Sequence, residues 1–336
     1  MEPFYKFERV KNLPTPVISQ NHPQLAGNKY GFEGGVALKE GGLYHLFVAE
    51  MAGDPFWIKM RLAHWSSKDA LSWDRNSTIF ESRGVNTWED KRSSLWEPTP
   101  VFDEKNDCWN LFYVAYRGQG GPNPGEEAMH NHGEIWRAVS KTKGRNGIAG
   151  PYQDLEVVLR KDINSTPWEG QQGPNSFFPY QVDGIWYALY GGHNYNPISP
   201  WMVGLATAPD LGGPWERLGQ KPLGMEKFFI ENPVVCKLGH LGLCAVYDSC
   251  GDNGQDHQYV EDPCNVGYCC STNGIEWSRG ERIEVLPPDQ ANWSSDVRTP
   301  LGLIDEGNNL FTMLFTAKLK NQQFWSIGMT QLKKVG

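Results

Sequence analysis

The sequence predicts an all-β fold, a five-bladed β-propeller whose last blade is closed by the N-terminal strand. Three observations predict it. One strand pattern recurs five times along the 336 residues, as stacked sheet units require. The short turns carry Asp-Gly, Gly-Gly or Asn-Asn, residues that accept the positive φ of tight hairpins. No stretch sustains the 3.6-residue apolar period of an amphipathic helix, whereas Val, Ile, Leu, Phe, Tyr and Trp fill the recurring runs.

Taken in order, blade one reads as strands 34–38, 43–48, 61–67 and 75–81, with residues 39–42 turning the first pair. Blade two reads as 99–102, 109–116, 135–140 and 152–160, with its turn at 103–107. Blade three reads as 178–181, 185–190, 202–208 and 216–223, its hairpin made by Asp183-Gly184. Blade four reads as 233–237, 241–247, 266–272 and 278–286, turning at Gly239. Blade five has three strands of its own, 299–304, 310–317 and 324–330. A spare strand lies at the other end, residues 4–10, and its pairing with blade five would remove an exposed sheet edge. The whole chain, 1–336, is then one propeller domain. An open pair of β-sandwiches is the alternative.

Composition excludes several classes. A net charge of -8 leaves no evident basic face for a phosphate backbone, so nucleic acid is not an expected partner. No apolar run approaches the ~20 residues of a membrane helix, so no membrane span is expected. The opening MEPFYKFERV has no basic segment followed by an apolar one. As written it reads as cytoplasmic, or as periplasmic or secreted if a signal peptide has been removed. The seven cysteines form no set at zinc spacing. Cys250 and Cys264 flank one loop and could bridge it in an oxidising compartment; free thiols are the alternative. A monomer is expected.

Propeller topology converts these strands into candidate site residues. Every inner strand starts at one mouth of the central channel, and the loops joining second to third strands reach that same mouth. The inner-strand starts are Phe32-Glu33-Gly34, Trp96-Glu97-Pro98, Pro174-Asn175-Ser176, Ile230-Glu231-Asn232 and Asp296-Val297-Arg298. Aligning Gly35, Pro100, Pro179, Pro233 and Pro300 places Glu33, Glu231 and Arg298 at equivalent positions, with Glu97 and Ser176 one residue earlier. The loops add Glu50 and Asp54, residues 117–134, His193-Asn194-Tyr195, residues 248–262 and Lys318. His130, His132, His193 and His257 fall among them. Carboxylates gathered in one pocket repel, so some are held protonated while others stay ionised, the division that glycoside hydrolysis uses.

At these residues the chain resembles the five-bladed β-propeller glycoside hydrolases, the superfamily that includes glycoside hydrolase family 43. That family's general acid is a glutamate two residues before a proline on the fourth inner strand. Ile230-Glu231-Asn232-Pro233 matches it, so the resemblance implies that Glu231 is the proton donor. It implies Glu33 as the base, where the family has aspartate. The third-blade aspartate that tunes the acid has no counterpart in Pro174-Asn175-Ser176. A weaker resemblance, to the family 137 β-L-arabinofuranosidases with paired glutamates, offers Glu134 of His130-Asn131-His132-Gly133-Glu134 as the partner of Glu231. Glu33 and Glu134 both stay open, and Glu33 has the alternative role of anchoring a sugar hydroxyl.

The remaining pocket candidates are substrate-binding: Glu97, Arg117, Asn175, His193, Arg298, Trp96 and His130. Arg117 and Arg298 suit carboxylates, of the protein or of a substrate. No metal ligand is assigned and no cofactor is required, although the resemblance allows a calcium ion in the channel. Of the 14 tryptophans, Trp65, Trp73, Trp109, Trp136, Trp186, Trp215 and Trp277 recur with the blades and read as packing. Trp57, Trp96, Trp168, Trp201 and Trp293 lie near loops or strand starts and suit stacking on a sugar face. The leading reading is an exo-acting glycosidase on plant or microbial polysaccharide fragments, releasing a furanose such as arabinose from an oligosaccharide substrate. A non-catalytic carbohydrate-binding propeller, a glycoside phosphorylase and a protein-interaction propeller are the alternatives.

Overall fold

The computed structural model describes residues 5–225, 230–239, 242–249, 262–287, 293–319 and 321–335. The strands are β1 (Lys6–Asn12), then β2 (Phe32–Glu40), β3 (Leu43–Met51), β4 (Met60–Ser67) and β5 (Trp73–Glu81) of blade one. Blade two holds β6 (Ser94–Asp103), β7 (Cys108–Arg117), β8 (Asn131–Lys143) and β9 (Tyr152–Arg160). Blade three holds β10 (Phe177–Val182), β11 (Ile185–Gly192), β12 (Met202–Ala208) and β13 (Glu216–Leu218). Blade four holds β14 (Glu231–Lys237), β15 (Leu243–Asp248), β16 (Asn265–Ser271) and β17 (Glu281–Glu284). Blade five holds β18 (Asp296–Gly307), β19 (Leu310–Lys318) and β20 (Trp325–Val335). Five antiparallel sheets of four strands result, a five-bladed β-propeller.

The closing strand is β1. It pairs with β20 from Lys6 opposite Val335 to Asn12 opposite Thr330, giving blade five its fourth strand. Phe7 fixes this arrangement by meeting Tyr268 and Phe311 edge-on, at 5.3 and 5.8 Å between centroids. Arg9 pairs with Glu284 of blade four at 2.8 Å.

Turn chemistry accounts for the hairpins. Gly41-Gly42 (φ 58° and 81°), Asp183-Gly184 (48° and 82°) and Asn308-Asn309 (54° and 61°) each place two successive residues at positive φ. Such two-residue loops match the twist of the strands they join. The outer strands of blades three and four are shorter than the sequence predicts. After Leu218 the chain turns at Gly219 (φ 88°) and returns to β12 through the Leu223 N–H, 2.8 Å from the Val203 carbonyl. In blade four, Ser278 and Val285 make single backbone bonds on either side of β17.

Between blades the core is aromatic and aliphatic. Trp65, Trp73, Trp109 and Trp215 are buried; Trp136 and Trp186 pack half-buried on the cluster of Trp109 and Trp215, and Trp277 packs half-buried on a separate cluster around Tyr180 and Tyr247. Glu50, expected in a mouth loop, lies instead inside blade one with its side chain fully enclosed. Arg75 grips it through Nε and Nη2 at 2.9 and 3.0 Å, and Arg61 reaches it at 2.9 Å. The Trp65 indole donates to the same carboxylate at 3.1 Å. Asp54 is exposed, held by Lys29 and the Tyr30 hydroxyl.

Candidate active site

The inner strands do more than begin at the channel: most of them bulge there. In β2 the ladder passes from Glu33 opposite Ala49 to Gly35 opposite Val48, leaving Gly34 (φ 65°) unpaired. In β14 it passes from Glu231 opposite Asp248 to Val234 opposite Val246, with Asn232 at φ 54°. In β6 it passes from Trp96 opposite Val114 to Thr99 opposite Phe112, with Glu97 at φ 54°. In β18 it passes from Val297 opposite Ala317 to Pro300 opposite Phe315. Each bulge adds a residue and re-aims the side chains around it.

This corrects the alignment expected from the prolines. On the ladder, Trp96 and Val297 share the rung of Glu33 and Glu231, while Glu97 and Arg298 follow beside Gly34 and Asn232. Pro98, not Pro100, corresponds to Gly35 and Pro233. Left-handed backbone at a glutamate costs about 1 kcal/mol, so Glu97 is held there by its surroundings. Its carboxylate lies over Gly34, where an added Cβ would stand 3.0 Å from Oε1. Gly34 leaves room for it.

The bulged ends enclose a cavity of ≈ 510 Å³. Glu33, Glu97, Glu231 and Arg298 line it with Asn175, Asn232, Gln172, Gln119, Ala128 and Met129. Aromatic walls come from Trp57, Trp96, Trp201, Tyr116, Tyr195 and His130. Arg298 organises the charge. Its Nε lies 2.8 Å from Glu33 Oε1 and 3.6 Å from Asp248 Oδ2, and its Nη2 lies 3.4 Å from Glu231 Oε2. Asp248, on the end of β15 behind the cavity wall, also accepts from Asn232 Nδ2 at 3.1 Å and Thr299 Oγ1 at 3.2 Å.

One guanidinium serves several carboxyls, and their protonation divides accordingly. Burial pushes Glu33 up to about 7, with Glu231 and Asp296 adding to the rise and Arg298 opposing it. Glu231 is also raised by burial, but Arg298 and a hydrogen bond with Trp201 pull it back. Glu97 rises well above the usual carboxylate range, through burial first and then the charges of Glu231, Asp248 and Glu33. No donor bonds to its carboxyl among the described residues. Asp248 is driven well up by burial too, with Arg298 opposing.

The aromatic wall is stacked in pairs. His193 lies flat behind Trp201, with centroids 3.4 Å apart and planes at 7°, and meets Tyr195 edge-on at 4.7 Å. His130 stacks on Tyr116 at 4.9 Å and meets Trp96 edge-on at 5.4 Å. Burial lowers both histidines to about 4, so they are neutral near pH 7. The His130 Nε2–H then donates to the Trp57 carbonyl at 3.1 Å.

Of the residues expected at the site, Glu33, Glu97, Glu231, Arg298, Trp96, Asn175 and His130 line the cavity. Three others do not. Glu134 lies three residues into β8, opposite Ala115 and Arg160, because the third strand opens earlier than expected, at Asn131. Arg117 donates to the Trp88 carbonyl at 2.9 Å and sits over the Trp88 ring. His193 supports the wall from behind. Among the stacking candidates, Trp57, Trp96 and Trp201 reach the cavity. Trp168 instead packs against Tyr190, and Trp293 is buried on Phe315. His132 pairs with Glu126 at 3.1 Å. Cys250 and His257 lie outside the described residues, so the proposed Cys250–Cys264 bridge does too. Glu33, Glu231 and Asp248 converge on the Arg298 guanidinium, and among the described residues no three His, Cys, Asp or Glu side chains form a ligand set for a metal.

No family model and no curated protein matches the sequence. Solved structures do. A glycosyl hydrolase from Bacteroides ovatus superposes with a TM-score of 0.64 at 12% identity, over 98% of this chain and 93% of that one. A thermostable family-43 glycoside hydrolase gives 0.62 at 14% identity, over 95% and 96%. The fold is that of the five-bladed propeller glycoside hydrolases. The catalytic domain of the Coprinopsis cinerea GH62 α-L-arabinofuranosidase shares it as well, with a TM-score of 0.61 at 11% identity over 95% of each chain.

Proposed function

We propose that this chain is a glycoside hydrolase, exo-acting on oligosaccharides of plant or microbial polysaccharides and releasing a furanose such as arabinose. The observation that carries the reading is one cavity lined by Glu33, Glu97 and Glu231 in which the Arg298 guanidinium reaches Glu33 and Glu231. One cation cannot keep three enclosed carboxyls ionised. Protonated and ionised carboxyls therefore stand side by side, as cleavage of a glycosidic bond needs.

Glu97 is the proton donor in this proposal, and Glu231 the carboxylate that serves the anomeric centre. That exchanges the role the resemblance implied for Glu231. The physical reason is that Glu231 accepts from Arg298 and Trp201, which favours its ionised form, whereas nothing among the described residues donates to Glu97. Glu33 Oε2 is buried with no hydrogen-bond partner among the described residues, which suits it to a sugar hydroxyl. The indoles of Trp57, Trp96 and Trp201 offer faces for the sugar C–H groups. The furanose preference draws on the GH62 neighbour, an α-L-arabinofuranosidase by name. A phosphorylase would need cations for phosphate; among the described residues Arg298 is the one cationic side chain on the wall, and it faces carboxylates.

The test is a screen of aryl glycosides with arabinan and pectic oligosaccharides, each with and without phosphate. Free monosaccharide independent of phosphate is expected, falling about 10²–10⁴-fold in Glu231→Gln. A sugar phosphate product would select the phosphorylase. Sugar binding without cleavage, unchanged in Glu231→Gln, would select a binding module.

A further inference from the structure

A second cleft of ≈ 410 Å³ adjoins the catalytic cavity, and Trp57 lines both. Its other walls are Tyr30, Phe56, Trp325, Lys318, Gln322 and Gln323. The rings form a connected set. Phe56 stacks on Trp57 at 4.8 Å and 25°, and Tyr30 meets Phe56 edge-on at 4.8 Å. The floor is fixed by backbone, since the Trp325 N–H donates to the Tyr30 carbonyl at 2.9 Å. Phe56 is nonetheless 37% exposed, an aromatic face left open beside the two glutamines.

Trp57 itself is unusual in three respects. It sits at φ 63°, a backbone conformation costly for a bulky side chain. A turn in which the Pro55 carbonyl accepts from Ile58 and Lys59, at 3.0 and 2.9 Å, holds it there. Its indole N–H is buried and has no acceptor among the described residues. Arg298, which carries the carboxylates of the first cavity, lies 5.8 Å from the centroid of its ring. A strained tryptophan with an unused donor thus forms the partition between a charged cavity and an aromatic cleft.

We propose that the cleft is a second sugar-binding site, which takes the unit on the leaving-group side of the bond cleaved in the first cavity. Aromatic faces with amide groups at their edges are the combination a sugar requires: C–H groups stack and hydroxyls hydrogen-bond. Gln322, Gln323 and Lys318 supply the polar edge, and Phe56 with Trp57 the platform. The substrate class follows: an oligosaccharide spanning Trp57, rather than a sugar carrying a small leaving group. This rests on the glycosidase reading above.

The experiment compares an arabino-oligosaccharide of three units with arabinosyl fluoride, whose leaving group is too small to reach the cleft. In Phe56→Ala and Gln323→Ala, the ratio of kcat/KM on the trisaccharide to that on the fluoride should fall at least tenfold. Both positions are exposed, so truncation leaves the core intact, and a thermal melt of each variant confirms folding. An unchanged ratio in both folded variants overturns the cleft while leaving the glycosidase reading intact. If the wild type cleaves neither probe nor any glycoside of the screen, the glycosidase reading fails and the cleft proposal falls with it.

Discussion

Arg298 Nε lies 2.8 Å from Glu33 Oε1, and the same guanidinium turns its Nη2 toward Glu231 Oε2 at 3.4 Å. A single cation thereby links the inner strands of blades one, four and five. Its charge opposes the rise that burial imposes on both glutamates.

Arg298→Met is predicted to move the acid limb of the kcat/KM–pH profile to higher pH. Without the cation Glu231 becomes harder to ionise, so the carboxylate form appears later as pH rises. Arg298→Lys should restore part of that shift, because it keeps the charge without the planar fork. The limb belongs to the coupled cluster rather than to one residue. Identical profiles for the wild type and Arg298→Met would remove Arg298 from this role.

Glu97→Gln is predicted to raise the Tm, by an amount that grows as pH rises above 4.5. The folded-state value of Glu97 is raised above its unfolded value of 4.5. Its stabilising contribution is therefore full below 4.5 and is lost as pH climbs toward the folded value. Gln stays neutral throughout and escapes that loss. Parallel Tm–pH curves for the two proteins would contradict the raised value.

The legibility of the fold follows from how local its signals are. Strand period and turn chemistry need only neighbouring residues, so β9 and β12 lie at 152–160 and 202–208 as read, and the Asp183-Gly184 hairpin joins its two strands in register. The spare strand at residues 4–10 is likewise legible from strand count alone, and β1 takes that place at the edge of blade five.

The site is less legible because its geometry depends on partner strands. A bulge exists only relative to the opposite strand, so no sequence pattern shows that Glu97 stands beside Gly34, one residue past the rung of Glu33, instead of one residue before it. Side-chain direction hides Glu50 in the same way: it lies near the mouth in sequence but points to Arg61 and Arg75. Asp248 is visible as the first residue of a polar loop. Its place behind Arg298 depends on the packing of β15 against β18, which joins residues 51 apart through Thr299.

A histidine pair in blade one gives a prediction away from the site. His45 Nδ1 and His64 Nε2 are 2.9 Å apart, and their rings stack at 5.2 Å with planes at 8°. Burial, with the nearby His45, lowers His64 to about 3, and burial lowers His45 as well. The unfolded chain binds protons below about 6.5 that the folded one refuses. Stability is therefore predicted to fall as pH drops from 6.5 toward 3. His64→Gln should flatten that limb in urea midpoints measured from pH 7 to pH 4. An equally steep limb in the variant would place the acid sensitivity elsewhere.

The central claim is that Glu97 donates the proton and Glu231 supplies the carboxylate. Measuring kcat/KM for each Gln variant across aryl glycosides of graded leaving-group pKa, and on a natural oligosaccharide, tests it most directly. Glu97→Gln should stay near wild type on the best leaving groups and lose about 10²–10⁴-fold on the natural bond, where acid help is needed. Glu231→Gln should lose activity on all of them alike. Uniform loss in Glu97→Gln, with the leaving-group-selective loss in Glu231→Gln, would contradict the assignment and return the acid role to Glu231.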